Sequence, residues 1–144
     1  MTLEEILQDK TRAEAVIRDG VLFIDREVRS KGGLRGVALK AGYKAVRKIK
    51  PGIMEESLGS LLPKFAPAID PHYAKGRETG NVTSYFVQHA DGIAESLLAV
   101  TDARASVATN RVMVKAYQSL RSQAKGHVID AMPGLAKLIS DHVD

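Results

Sequence analysis

Four histidines are the side chains with the most chemistry to offer: His72 after Asp70-Pro71, His89 before Asp91, His127 three residues ahead of Asp130, and His142 near the carboxyl end. An imidazole beside a carboxylate can move a proton or hold a metal. Only His127 and Asp130 are spaced to share a helix face, and one such pair is half a metal site. Neither His-Glu-x-x-His nor Glu-x-x-His occurs, so no metal is expected. The sequence has no Gly-x-Ser-x-Gly elbow for a nucleophilic serine and no cysteine for thiolate chemistry. Thr101-Asp102-Ala103-Arg104 is polar within a helical run. Asp102 and Arg104 stand two apart and cannot face one another, so the expected role is a polar contact between helices. No catalytic, cofactor-binding or metal residue is assigned, no cofactor is implied, and a non-catalytic protein is expected. An enzyme using His72 or His127 would need a pocket that gathers imidazole and carboxylate.

A second kind of chemistry is written more plainly. From Val28 to Met54 there is no acidic residue, while eight lysines and arginines crowd the segment. Its centre, Leu34 to Lys50, reads as one helix between the Gly32-Gly33 pair and Pro51-Gly52. At about 100° per residue, Leu34, Val37, Ala38, Ala41, Ala45 and Ile49 fall in one apolar sector, with Lys40, Lys44 and Arg47 opposite and Lys48 at the edge. The small residues Ala38, Ala41, Gly42 and Ala45 predict close approach of a neighbouring helix on that sector. Arg35, Lys40, Lys44, Arg47 and Lys48 form a candidate anion-binding face, the alternative being a solvated flank of a core helix. The opening glycines resemble a backbone anion cradle, but no Gly-Lys-Ser/Thr follows and no strand precedes, so a helix-to-helix turn is the plainer reading.

A second acid-free run, residues 103–129, carries five more positive charges, so the two runs hold thirteen. Against a net charge of +4, the rest of the chain must then carry −9. If the runs adjoin in the fold, the molecule is electrically two-sided and can steer anionic partners.

The elements that must position these residues are all helical. No segment alternates with period two. Thr2-Leu3-Glu4-Glu5 is a capping box, and Ala13, Val16, Ile17, Val21, Ile24 and Val28 predict a helix from about Lys10 to Ser30, ended by Gly32-Gly33. A short helix is expected after Pro51, then a kinked or segmented stretch through Pro63, Pro67 and Pro71. Residues 75–81 look like a polar loop. Asn81 and Asp91 are candidate caps of the next two helices. Asn110 opens what should be the longest element, which Pro133 kinks or splits. One domain spanning 1–144 is expected, an irregular bundle of six to eight helices.

The longest charge-free run is twelve residues, short of the roughly 20 that a membrane-spanning helix needs. The acidic amino terminus lacks the features of a signal peptide, so a cytoplasmic protein is expected. Gly33–Gly52, Leu97–Arg104 and Ala116–Arg121 together resemble a group of small, all-helical bacterial proteins of unknown function. The resemblance implies a single helical domain and a bacterial cytosolic origin, and brings no activity or functional residue. The expected role is that of a soluble, non-catalytic protein acting through interaction with a protein partner or a second copy; the alternative is binding of an anionic surface, nucleic acid or membrane, through the basic helix 34–50.

Overall fold

A computed structural model describes residues 1–143, which form eight helices: α1 (Leu3–Ile6), α2 (Lys10–Ser30), α3 (Gly33–Arg47), α4 (Ile53–Thr79), α5 (Val82–Gln88), α6 (Ala90–Ser106), α7 (Arg111–Asp130) and α8 (Met132–Val143). No strand occurs among the described residues. The helices start where short polar side chains can take up free amides. The Thr2 hydroxyl accepts the Glu5 amide at 3.1 Å while a Glu5 carboxylate oxygen accepts the Thr2 amide at 3.2 Å, completing the capping box. The amides of Leu3 and Glu4 are taken up by the Asp70 carboxylate of α4 at 2.9 and 3.1 Å. Asp9, Asn81 and Asn110 cap α2, α5 and α7 in the same way.

The tightly packed core lies between α1, α2, α4, α5, α6 and α8. Phe86, Ile93, Ile6 and Met132 are its largest fully buried side chains, with Ile69, Tyr73 and Ile139 around them. Gly76 is buried against Val82 and Tyr85, where a Cβ would meet the Val82 Cα at 3.3 Å, so α5 folds straight back onto α4. The other two helices form an outer layer. Gly42 meets Leu120, Arg35 lies over Gly126, and Lys31 reaches Asp130 at 3.2 Å, so α3 runs antiparallel along α7. Within this layer α7 has no fully buried residue, and α3 has only Gly36.

Several elements differ from their sequence pattern. The proline-rich stretch is not segmented: α4 runs unbroken through Pro63, Pro67 and Pro71 to Thr79, and at 27 residues it, not α7, is the longest helix. The three prolines recur every fourth residue on the exposed side. The carbonyls they leave without an amide, those of Gly59, Pro63 and Pro67, therefore fall on the solvent side, where water can satisfy them. Residues 75–79 are the last turn of α4 rather than a loop, and the Thr79 hydroxyl closes it on the Gly76 carbonyl at 2.6 Å. Asp91 does not cap α6, which starts one residue earlier at Ala90; Asp91 reaches across to Lys125 at 2.9 Å instead. Helix α2 stops on an extended Lys31, and the left-handed glycine, Gly33 with φ 70°, opens α3. Pro133 marks the split between α7 and α8, sitting in the first turn of α8, where its missing amide costs nothing.

Gly36 shows how closely α3 enters against the end of α2: a Cβ there would lie 2.8 Å from the Lys31 carbonyl carbon and oxygen. Backbone cannot give way as a side chain can, so Gly36→Ala should destabilise the fold by about 1–3 kcal/mol. Gly92 of α6 has nothing within 4 Å of such a Cβ, and Gly92→Ala should stabilise it by about 0.5–1 kcal/mol through helix propensity. Urea unfolding of the two variants checks both signs.

Candidate functional site

The two acid-free runs come together. α3 contains no acidic residue, and the only one in α7, Asp130, is its last and is held by Lys31. The layer these helices form is therefore basic along its length. Of the five residues of the candidate anion-binding face, the structure divides the roles. Lys40, Lys44 and Lys48 are exposed and make no ion pair among the described residues. Arg47 turns back to Asp25 of α2 at 3.3 Å and lies over the Tyr43 ring at 5.6 Å. Arg35 folds onto Gly126, where a Cβ would come within 2.2 Å of its guanidinium.

The apolar sector of α3 does not face inward. Leu34 is 89% exposed and Val37 66%, and Ala41 and Ala45 are exposed with them. The face turned to the protein is Leu39, Gly42, Tyr43 and Val46, about a third of a turn away. Glycine decides this: Gly36 and Gly42 allow contact with the Lys31 backbone and with Leu120, closer than alanine permits. Asp25 adds a polar anchor by accepting the Tyr43 hydroxyl at 3.2 Å. The hydrophobic pattern alone could not have shown this, because it ranks Leu34 above glycine.

Beneath the layer lies an apolar cleft of about 660 Å³, roofed by Leu39, Val46, Met113 and Leu120 and floored by residues of α2, α4 and α6 such as Ile24, Ile53, Met54 and Leu61. Polar clasps border it. On one side Asp25 holds Tyr43 and Arg47 of α3, and also Arg29 of its own helix at 2.9 Å. On the other, Asp102 of α6 takes Arg121 of α7 through two parallel bonds, at 2.8 and 3.0 Å, and accepts the Tyr117 hydroxyl. The Thr101 hydroxyl lies 2.7 Å from the Tyr117 oxygen and 3.1 Å from the Leu98 carbonyl, and its single proton is shared between these two acceptors. The Arg121 and Tyr117 bonds hold the Asp102 carboxyl below the usual range, while burial and Asp102 push the Tyr117 phenol up. Tyr43 is raised too, by burial first and by Asp25. Further along, Lys125 of α7 bridges Asp91 and Glu95 of α6 at 2.9 and 2.7 Å. The polar stretch at 101–104 is thus an interhelical contact, as its pattern predicts. Only Arg104 stays out of the clasp, at the wall of the cleft.

No histidine joins a carboxylate in this cleft. His72 contacts Ser96 at 3.2 Å, His89 stacks on Tyr85 with ring centres 4.2 Å apart, and His142 meets Asp19 at 2.8 Å. Asp130 turns to Lys31 rather than to His127, whose two ring nitrogens are enclosed. Among the described residues no three metal-ligating side chains gather. Ser122 and Lys125 stand at Ser-x-x-Lys spacing, but Asp91 and Glu95 raise the Lys125 ammonium and keep it a cation rather than a base.

Fold and site together define an irregular helical bundle with a basic outer layer over an apolar cleft. Residues 3–143 match the profile of a family of unknown function, DUF6918, and the chain belongs to that family. No curated protein and no solved structure matches it. No helix of the described residues is long and apolar enough to cross a membrane.

Burial, then the cations Lys31 and Arg35, lower the affinity of His127 for a proton; burial with Lys75 and His89 does the same for His72. The unfolded chain then takes up these protons first, from about the ordinary value of 6.5 downward, so stability is full above that pH and falls as pH drops through the depressed folded values. Urea midpoints measured between about pH 7.5 and pH 5 should decline. His127→Leu should flatten part of the decline.

Proposed function

We propose that the chain is a non-catalytic binding protein whose α3–α7 outer face settles on an anionic lipid surface. One observation carries this reading: two acid-free segments far apart in sequence pack side by side, and their unpaired lysines, Lys40, Lys44 and Lys48, flank an exposed ridge of Leu34, Val37, Ala41 and Ala45. A helix lying in a membrane interface has this make-up, an apolar ridge to enter the headgroup region and cations for its charge. Each lysine near an anionic leaflet contributes about 1 kcal/mol, so three give weak, salt-sensitive attachment that the ridge reinforces.

Nucleic acid fits less well, because every phenylalanine and tyrosine is buried or half-buried and leaves little ring for bases to stack on. A second copy fits less well again. A twofold contact would set the same lysines against one another. A protein partner would need an acidic surface. The cytoplasmic leaflet of a bacterial membrane is the surface meant, in keeping with the resemblance to small bacterial proteins.

Flotation with vesicles checks the reading. The chain should rise with vesicles of phosphatidylcholine and phosphatidylglycerol at low salt, stay down with phosphatidylcholine alone, and be released as salt rises. Lys40→Glu with Lys44→Glu should weaken binding more than tenfold, and Leu34→Ser with Val37→Ser should weaken it while keeping its salt dependence. Retention on DNA or heparin without any flotation would overturn the lipid assignment.

A further inference from the structure

The cleft under the layer is a second feature, independent of what the outer face binds. Its size limits the occupant. It measures about 660 Å³. The volume lies within the roughly 300–1,000 Å³ of small-molecule sites and has their make-up, an apolar lining with few polar groups. One long alkyl chain suits such a lining.

Charge limits the occupant further. The ionisable groups of the lining are Lys50, Glu56 and Arg104, besides the two tyrosines. Lys50 and Glu56 neutralise one another at 2.8 Å, and the tyrosine hydroxyls are committed to Asp25 and Asp102. Arg104 is left, an exposed side chain at the edge of the lining with no ion pair among the described residues, and Asn110, exposed as well, lines the same cleft. A lone guanidinium at an apolar cleft matches a single negative charge, and its planar fork matches a carboxylate.

We infer that the cleft binds a single-chain, long-alkyl carboxylate, its carboxylate on Arg104 and its chain between Leu39, Val46, Ile53, Met113 and Leu120. Fluorescence titration of the full chain with cis-parinaric acid, kept below its micelle concentration, tests this. One equivalent should bind saturably. Arg104→Gln should weaken the acid at least tenfold and leave the methyl ester, which is bound more weakly by the native chain, unchanged. Ala105→Phe, which fills the cleft from α6, should abolish binding of both while circular dichroism confirms an intact fold. Lys40→Glu with Lys44→Glu should leave the titration unaltered, which separates this site from the outer face. Absence of saturable binding, equal affinity for acid and ester, or a cleft closed by self-association that Ala105→Phe disrupts would each overturn the assignment.

Discussion

The carboxylate of Asp102 is the contact on which the layered arrangement turns. Helix α7 has twenty residues and buries none of them fully, so the burial that fixes most helices in place is weak here. What locates α7 is a fork-to-fork pairing of Asp102 with Arg121, reinforced by the Tyr117 hydroxyl and Thr101. Such pairing fixes direction as well as distance, because two parallel bonds tolerate little rotation. The Lys125 bridge to Asp91 and Glu95 repeats the device one turn further along α7. Asp25 does for α3 what Asp102 does for α7, through Tyr43 and Arg47.

Holding a layer by its polar edges has a consequence for its middle. Side chains between the clasps need not interdigitate to native density, and a cleft of about 660 Å³ persists there, where a core would close to a packed interior. The same division explains the charge. Arg47, Lys125 and Arg121 are taken up by Asp25, by Asp91 with Glu95, and by Asp102, while Lys40, Lys44 and Lys48 face solvent and the one acid of the two helices, Asp130, is held by Lys31. One helix pair thus presents an apolar underside and a basic outer side.

Much of the fold was legible in residue order because its causes are local. The capping box at Thr2, the Asn81 and Asn110 caps, the span of α2 and the break before Pro133 depend on neighbours within four or so positions, and the pattern of those neighbours is the sequence. Where the pattern misled, the deciding partner was distant or the relevant surface was not visible. Pro63, Pro67 and Pro71 suggest a break until they are seen to share the solvent side. Asp91 looks like a cap until Lys125 arrives from α7. Leu34 and Val37 look like a core stripe until Gly36 and Gly42 take the close-packed face.

The candidate site divides along the same line. Residue order alone determined that the chain is built of helices and that two segments carry thirteen positive charges with no acid among them, since each of these is a statement about type and spacing. Tertiary structure decided that the two basic segments adjoin, which lysines stay unpaired, and that Arg104 lies on an apolar cleft roofed by Leu39 and Leu120. Those follow from helix contacts between residues some eighty positions apart, and long-range juxtaposition is set by which surfaces can be buried together, a property no single segment carries.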